Sequence, residues 1–449
     1  MARPESSKGV VALSKNPLEL NAMNDVLEIV PIAKPVFGSV TPPGSKSITN
    51  RALAMASLAK GTTTLQGALE SVDTQVMQAS LRKLGVAIES TSENRLTVSG
   101  NSGVFSVENA SLDIENSGTS MRFLTAFCGL GNGTICLDGN TRMRERPIGD
   151  LVDALRQLGA NISYEREEGF PPLKIEAVGL NGGNIRIAGN ISSQFLSALL
   201  TVAPYARSEI TIEVEGELVS KPYVAMTLRV MKEFGLVVEK ENDSRFRIEP
   251  AVYSPRIFTI EPDASAASYF FALAAITQGS VTVRGLTRRS MQGDIAFVDL
   301  LERMGCEVTE TQNAIAVQGK PLSGIDIDMN DVSDTVPTLA IVAVTANGPT
   351  TIRNVEHIRH KETDRIGALV TELNRLGIET DETQDGLTIH PGTPQPGSVK
   401  TYDDHRMAMS FALLGLKYPG IEIEDPHCTA KTYPNYFNDL KKLTHCQYR

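Results

Sequence analysis

Residues 51–67 read RALAMASLAKGTTTLQG: an apolar helical stretch, a glycine turn at Gly61, and then a short run of β-branched residues. This order predicts a helix that leads directly into a strand, because apolar residues at helical spacing give way to residues that favour a pleated sheet. The same pattern occurs six times along the chain, with turn positions 69 to 75 residues apart. The other copies begin with MRFLTAFC (121–128), SQFLSALL (193–200), ASYFFALA (267–274), VPTLAIVA (336–343) and MAMSFALL (407–414).

A second motif keeps nearly the same period. It reads LRKLGVAIE in its first copy, and its glycines lie 70 to 76 residues apart. A Leu or Met four residues before each glycine gives an apolar helical face, and the glycine suits the left-handed position that ends a helix. A sixth copy is expected at the C-terminus, where residues 440–443 are its remnant. The glycines of the series are Gly85, Gly159, Gly235, Gly305 and Gly377.

Two interleaved series predict six copies of one α/β unit, with a period too long for common solenoid repeats. A chain of 449 residues then divides naturally into two domains of three units each. Crossings marked by Pro and Gly lie near Pro42–Gly44 and Tyr253–Pro262. We therefore predict a flexible tail (1–25), a discontinuous domain (26–44 plus 260–449) and an inserted domain (45–259), with the active site in the cleft between them.

Composition excludes several classes of protein. Apolar residues make up 41% and charged residues 21%, the balance of a globular chain, and no apolar stretch is long enough to span a bilayer. The net charge of −10 disfavours nucleic-acid binding, so any bound anion needs a local cluster of Lys and Arg. Five widely spaced cysteines form neither a disulfide framework nor a zinc motif, and the N-terminus lacks a secretory signal. These features favour the cytoplasm.

The segment PPGSKSITNRAL (42–53) places Lys46 and Arg51 at the start of a predicted helix. Free N–H groups at a helix N-terminus, together with a Lys and an Arg, suit a phosphate or carboxylate. The segment lacks the glycine spacing of a P-loop. A surface turn before a capped helix remains an equally good interpretation of this segment alone.

Similar loops precede other repeat helices. NSGTSMRF (116–123) carries Arg122, and NISSQFL (190–196) offers neighbouring hydroxyl and amide groups. RMRERPIG (142–149) is rich in arginine; such a run is usually a solvated face, but Arg146 before Pro147 is held extended, which suits a side chain aimed into a cleft.

In the second half, charged segments occupy 331–338, 357–365, 401–409 and 427–434. Because the helices are related by the repeat, we expect the groups at their starts to converge on one region between the domains. Two carboxyls, Asp334 and Glu362, would lie among the cations. They are either salt-bridge partners with a depressed pKa or proton-transfer groups for a polyanionic substrate. The expected cations are Lys46, Arg51, Arg122, Arg146, Lys361, Arg365, Arg406 and Lys431.

From about Val26 to the C-terminus, the strings GSKSITNRA, NSGTSMR, RMRERPIG, SSQF, SKPY, EPDASAASYF, HKETDRI, YDDHRMAM and CTAKTYP resemble the EPSP synthase family, in order and at matching intervals. The Ser-Ser-Gln and Arg-Met-x-Glu-Arg-Pro strings are similar to its class I. The resemblance implies an α/β fold, a two-domain inside-out barrel of six βαβαββ repeats, three per domain.

The resemblance also implies a reaction of the shikimate pathway of aromatic amino-acid biosynthesis. The enolpyruvyl group of phosphoenolpyruvate (PEP) passes to the 5-hydroxyl of shikimate 3-phosphate by addition and elimination, and phosphate is released. It implies no metal, no cofactor, no nucleic acid or membrane partner, a monomer, and inhibition by glyphosate.

Residue by residue, the resemblance implies three sets. The catalytic set is Lys46, Asp334 and Glu362. Shikimate 3-phosphate would contact Lys46, Ser47, Arg51, Thr119, Ser192, Ser193, Gln194, Ser220, Tyr223, Asp334, His357 and Lys361. PEP would contact Lys46, Gly118, Arg122, Arg146, Gln194, Arg365, His405, Arg406 and Lys431.

Two positions depart from the family pattern. Phe123 stands where the family usually has Pro, on the helix that carries Gly118 and Thr119, so it could loosen the pocket that glyphosate shares with PEP. His357 stands where the family has Asn.

Two other functions compete with this interpretation. A UDP-N-acetylglucosamine enolpyruvyl transferase would have a Cys where this chain has Thr141. A silent anion-binding homologue would be expected to lack Lys46, Asp334 or Glu362, and all of them are present.

Overall fold

The computed structural model describes residues 25–92 and 94–449, so the predicted tail (1–25), except for its last residue, lies outside the described residues. The first part of the chain forms β1 (Val26–Ile29), β2 (Phe37–Val40), α1 (Lys46–Leu58), β3 (Thr62–Gln66), α2 (Val72–Lys83), β4 (Ala87–Ser92), β5 (Arg95–Ser99), β6 (Ser106–Asp113), α3 (Gly118–Cys128), β7 (Asn132–Asp138), α4 (Gly149–Gln157), β8 (Asn161–Tyr164), β9 (Leu173–Val178), β10 (Gly183–Ala188), α5 (Ser193–Val202), β11 (Ile210–Glu215), α6 (Lys221–Glu233), β12 (Glu239–Asn242), β13 (Arg245–Ile248) and β14 (Ile257–Thr259).

The remaining elements repeat the same order. They are α7 (Ala264–Thr277), β15 (Ser280–Arg284), α8 (Phe297–Met304), β16 (Glu307–Thr311), β17 (Ala314–Gln318), β18 (Asp326–Asp328), α9 (Val336–Val344), β19 (Thr350–Arg353), α10 (Arg365–Arg375), β20 (Thr380–Thr383), β21 (Gly386–Ile389), β22 (Gly397–Val399), α11 (His405–Gly415), β23 (Ile421–Glu424) and α12 (Tyr436–Thr444).

The predicted repeat is a βαβαββ unit, and the strands of each unit form one sheet. In the unit β6-α3-β7-α4-β8-β9, β6 and β7 are parallel, and β9 runs antiparallel to both β7 and β8, giving the strand order β6-β7-β9-β8. The sheets β10-β11-β13-β12 and β18-β19-β21-β20 have the same order. Within the described residues the strands form six sheets, so the six-fold repeat read from the sequence is confirmed.

The glycine that ends the second helix of the unit has the expected left-handed backbone. Across its copies φ runs from 78° at Gly377 to 116° at Gly305. A residue with a Cβ would be strained in this conformation. Glycine therefore ends these helices and allows the hairpin strand to begin at once.

Near each crossing between the two halves of the chain, one strand pairs with a strand that is distant in sequence. β2 lies before the first repeat helix, yet it pairs in parallel with β15, which follows more than two hundred residues later. In return β14 pairs in parallel with β3. An isolated bridge between Gly44 and Pro262 joins the two crossings.

The sixth unit is completed by the two ends of the described chain. β22 and β23 are parallel, β1 from near the N-terminus lies antiparallel to β23, and Tyr448 bridges to Ile29 of β1. The expected remnant at 440–443 lies within helix α12.

Two separate hydrophobic cores divide the described residues into two lobes. Buried side chains from Ile48 to Ile260 pack together in the first lobe. Leu27, Ile29 and Val36 join the buried side chains from Ala264 to Cys446 in the second. The repeat helices lie at the centre of each lobe; nearly every residue of α7 is buried, which is why this helix is apolar on all sides.

In the part of the chain that the structure describes, no helix combines the length and apolar character needed to cross a bilayer.

Candidate active site

The site lies in the cleft between the lobes, where the repeat helices begin. Lys46 is the first residue of α1, Gly118 of α3, Ser193 of α5 and His405 of α11. Asp334 lies in the short 3₁₀ turn just before α9. Because these helices are repeats of one unit, their N-termini share one side of each lobe, and both lobes turn that side toward the cleft.

Side chains from both lobes line the cleft, and four of the eight expected cations, Lys46, Arg122, Arg146 and Lys361, are among them. The lining residues are Lys46, Ser47, Arg122, Arg146, Pro147, Ile191, Ser192, Ser193, Gln194, Phe195, Ser220, Tyr223, Asp334, His357, His360 and Lys361.

Asp334 is bound on both carboxylate oxygens. Its Oδ1 accepts from Lys361 Nζ and Arg365 Nη1, both at 3.0 Å, and its Oδ2 accepts from Arg406 Nη2 at 2.8 Å. The Tyr223 hydroxyl reaches across from the first lobe and lies 3.0 Å from the same Oδ2. Burial alone would raise the pKa of Asp334, but Arg406, Lys361 and Arg365 hold it well below its ordinary value. Asp334 is therefore an ionised carboxylate.

Arg365 joins three carboxylates at the centre of the second lobe. It donates from Nη1 to Asp334, from Nη2 to Glu362 Oε2 at 2.8 Å, and from Nε to Asp404 Oδ2 at 2.7 Å. The guanidinium is 1% exposed, and the three carboxylates raise its pKa against the effect of burial. Arg365 therefore fixes the spacing between the two predicted proton-transfer groups.

Glu362 faces the cations of both lobes. Its Oε1 lies 3.9 Å from Lys431 Nζ, and its Oε2 accepts from Arg365. Burial would raise the pKa of Glu362, but Arg365, Lys431 and Arg146 hold it well below its ordinary value.

On the other side of Glu362, Asn116 binds two cations, Lys431 and Arg146. Its carbonyl accepts from Lys431 Nζ at 2.6 Å and from Arg146 Nη1 at 3.2 Å. Arg122 lies behind Arg146 and donates to the carbonyl of Pro147 at 2.8 Å. Burial lowers the pKa of both arginines, and for Arg122 the neighbouring charge of Arg146 adds to the shift.

Several buried polar atoms in this region have no hydrogen-bond partner among the described residues. They include the Nε atoms of Arg122, Arg146 and Arg406 and both ring nitrogens of His405. Burial lowers the pKa of His405 well below its ordinary value, so the ring is neutral. Buried N–H donors are normally paired, so an anion is the ligand that this side of the cleft suits.

Lys46 is held by a residue that sequence reasoning missed. Its Nζ lies 3.3 Å from Asp73 Oδ2, and Lys431 Nζ lies 3.7 Å from Asp73 Oδ1. Asp73 belongs to the first turn of α2, where an acidic residue is ordinary because it complements the helix dipole. No local signal marked it as part of a site.

Asp404 and Asp294 were also missed. Asp404 caps α11 by accepting from the backbone of Arg406, and it binds Arg365 as well; its place in the charged string before the helix was the one available signal. Asp294 comes from a different segment and lies 2.9 Å from the Tyr223 hydroxyl.

The hydroxyl-rich side of the cleft comes mostly from the first lobe. Ser192 caps α5 by accepting from the backbone of Gln194, and the Gln194 side chain donates to Thr119 at 3.4 Å. Ser193 and Ser47 face the cleft, whereas Thr119 is buried behind Gln194.

Ser220 and His357 meet across the lobes. The Ser220 hydroxyl lies 3.1 Å from His357 Nε2, which is also 2.9 Å from the Ser333 hydroxyl. Burial, reinforced by Lys361, lowers the pKa of His357 to about 3, so its ring is neutral. His357 borders the cleft, but both of these contacts are to protein hydroxyls.

Arg51 lies beneath the hydroxyl-rich side rather than on the lining. It donates to Thr227 Oγ1 at 2.8 Å and to the carbonyls of Ser47 and Tyr223. The Phe123 ring lies 5.3 Å from its guanidinium carbon, a cation–π contact, and burial lowers the pKa of Arg51 to about 10.

The family described as EPSP synthase (3-phosphoshikimate 1-carboxyvinyltransferase) matches residues 30–440. The chain is 50% identical over 422 residues to a 3-phosphoshikimate 1-carboxyvinyltransferase of Trichormus variabilis, covering 93% of this chain and 99% of that protein. It is 49% identical over 423 residues to the protein of the same name from Shewanella denitrificans, with the same coverage of both.

Two solved structures share the fold. An EPSP synthase from Acinetobacter baumannii superposes with a TM-score of 0.80 at 26% identity, over 94% of this chain and 99% of that chain. The enolpyruvyl transferase NikO from Streptomyces tendae superposes with a TM-score of 0.73 at 21% identity, over 94% and 98%.

Proposed function

This chain belongs to the EPSP synthase family and transfers the enolpyruvyl group of PEP to the 5-hydroxyl of shikimate 3-phosphate, and we propose that Asp334 and Glu362 carry the proton transfers of that reaction while Lys46 stabilises the negative charge. The observation that carries the assignment is the pair of ionised carboxylates held apart by Arg365 among buried cations. Asp334 and Glu362 are also salt-bridge partners of Lys361, Arg365 and Arg406, and the effect of Glu362→Gln on turnover separates that role from proton transfer.

PEP belongs on the side of Arg122, Arg146, Arg406 and Lys431. It carries a carboxylate and a phosphate, and both suit planar guanidinium donors. The unpartnered Nε atoms there are the groups that such an anion would satisfy. The rest of this set is Lys46, Arg365, His405, Gly118 and Gln194.

Shikimate 3-phosphate belongs on the hydroxyl-rich side. Ser47, Ser192, Ser193, Gln194 and Lys361 offer donors to its phosphate and hydroxyl groups. Arg51 acts there from below, because it fixes the carbonyls of Ser47 and Tyr223. Thr119, Ser220 and His357 support the same side.

The proton transfers follow from the charges. In the addition step the 5-hydroxyl attacks C2 of PEP and loses its proton, while C3 gains one, giving a tetrahedral intermediate. In the elimination step C3 loses a proton and the C2–O bond to phosphate breaks. Asp334 suits the hydroxyl proton and Glu362 suits the protons at C3. The negative charges of PEP offset the cations, so substrate binding raises the pKa of Glu362 toward a value at which it can exchange protons.

Closure of two domains, with three repeats each, would assemble this site and exclude water. The two hydrophobic cores support that division. We further propose a monomer in the cytoplasm; the five unpaired cysteines suit a reducing compartment.

The first experiment measures phosphate release from PEP with shikimate 3-phosphate, run beside PEP with UDP-N-acetylglucosamine. We expect release in the first mixture alone. Release in the second alone would mean that Thr141 does not exclude the related transferase, and no release in either would indicate a silent homologue.

The role of Glu362 is tested with Glu362→Gln, which keeps the shape of the side chain and removes its charge. We expect turnover to fall about 100-fold to 10,000-fold, the usual contribution of general acid–base catalysis. Binding of shikimate 3-phosphate, measured by calorimetry, should persist. Glu356→Gln is the matched control, because Glu356 is exposed on the same loop. Near-normal turnover in Glu362→Gln would exclude the role.

Glyphosate is expected to compete with PEP. Gly118 is retained, which favours sensitivity to glyphosate. Phe123, on the same helix as Gly118, packs on Arg51 of α1, and we propose that it gives partial tolerance. The inhibition constant of glyphosate should be roughly five-fold higher for the natural chain than for Phe123→Pro, a difference of about 1 kcal/mol in binding free energy. Thermal unfolding would establish that the variant is folded, and equal inhibition of both proteins would contradict the proposal.

A further inference from the structure

Arg142 reaches across the cleft and belongs to none of the catalytic or substrate-binding sets. It lies on the loop between β7 and α4, four residues before Arg146. Its Nε lies 3.3 Å from the carbonyl oxygen of Lys361 and 3.2 Å from that of Glu362, and its Nη2 donates to the carbonyls of Arg359 at 3.2 Å and Lys361 at 3.1 Å. One guanidinium of the first lobe therefore binds three backbone carbonyls in the second, those of Arg359, Lys361 and Glu362.

These carbonyls belong to a backbone that cannot pair them itself. The 3₁₀ turn Glu356–His360 ends at Lys361, whose backbone is extended. The last carbonyls of a helical turn lack partners within the turn, and an arginine side chain is one of the groups that can cap them. Here the capping arginine comes from the opposite lobe.

The capped backbone carries two groups of the site. The Lys361 ammonium binds Asp334 Oδ1 at 3.0 Å, and Glu362 binds Arg365 at 2.8 Å. A shift of this backbone would move both at once. The Arg142 hydrogen bonds form only when the lobes meet, since donor and acceptors lie on different lobes.

We propose that Arg142 is a positioning residue: by capping the carbonyls of residues 359–362 from the opposite lobe, it sets the place of Glu362 and Lys361 as the cleft closes. This inference rests on the proposed role of Glu362. Arg142 contacts neither predicted substrate and acts through the backbone.

The test is Arg142→Ala. We expect kcat to fall about 100-fold, because a displacement of about 1 Å in a catalytic group costs that much. Deuterium exchange at the methylene of PEP, which reports on Glu362, should fall by the same factor. The calorimetric dissociation constant of shikimate 3-phosphate should rise by a much smaller factor than kcat falls, because Lys361 moves with this backbone whereas Ser47, Ser192 and Ser193 lie on α1 and α5 of the first lobe. This split between kcat and binding is what a general loss of folding would not produce.

Arg144→Ala is the matched control, because Arg144 lies on the same loop and pairs with Asp138 of its own lobe. We expect near-normal turnover from it. Added guanidinium ion should restore part of the activity of Arg142→Ala and none of that of Glu362→Gln, which separates a failure of this proposal from a failure of the role of Glu362. Normal kcat in Arg142→Ala, a loss no larger than in Arg144→Ala, or no rescue would overturn the proposal.

Discussion

Gly118 shows how a single missing side chain shapes the site. A Cβ built on Gly118 would lie 2.3 Å from Arg146 Nη2 and 2.8 Å from its Cζ. The backbone of Gly118 has no left-handed φ, so the requirement for glycine comes from the space that the guanidinium occupies. The position of the Arg146 guanidinium therefore requires glycine at position 118.

We predict that Gly118→Ala displaces Arg146 and raises KM for PEP about ten-fold to a hundred-fold, the loss expected from a hydrogen bond to a charged group worth about 1.5–3 kcal/mol. Steady-state kinetics checks KM, and thermal unfolding establishes that the variant is folded. Gly129→Ala is the control, because a Cβ there meets only the side chain of Leu180 and a local carbonyl, the nearest at 3.2 Å. An unchanged KM for PEP in Gly118→Ala would place Arg146 outside the PEP contacts.

At the scale of elements, the repeat places helix N-termini at the cleft, and the caps give them different chemistry. Ser45 and Ser192 cap α1 and α5 with neutral hydroxyls, whereas Asp404 caps α11 and also binds Arg365. N–H groups at these ends favour anions. The same structural unit therefore builds a hydroxyl-rich side and a cationic side of one cleft.

At the scale of the whole molecule, the region between the lobes buries histidines and carboxylates together, which makes the free energy of unfolding depend on pH. His357 is 6% exposed and has a pKa of about 3, whereas in the unfolded chain it titrates near 6.5. Between these values the unfolded chain binds a proton that the folded chain does not. Stability therefore falls as the pH falls through this window, and the lowered pKa values of Asp334 and Glu362 act in the same direction at the acid end.

We predict that the free energy of unfolding, measured with urea between about pH 5 and pH 7, falls on acidification, and that the fall is smaller in His357→Asn by about 1.4 kcal/mol per pH unit below the unfolded pKa. His390→Asn is the control, because His390 is exposed. If His357→Asn and the natural chain had parallel pH profiles, His357 would not be the group that takes up the proton.

The sequence alone determined the six-fold unit, the positions of its turns and most of the side chains at its helix starts, because hydrophobic periodicity and helix-ending glycines are local properties. Lys46, Arg146 before Pro147, and Glu362 could be named from such strings. The tertiary structure alone decided the rest. Asp73 and Asp294 carry no local signal. Arg51, expected to contact the substrate, lies beneath the residues that line the cleft. Arg142 looked like a solvated charge, since the carbonyls that it caps lie on the other lobe. Burial and pairing across the lobes depend on which segments come together in the fold, and the sequence of one segment does not specify which other segment it contacts.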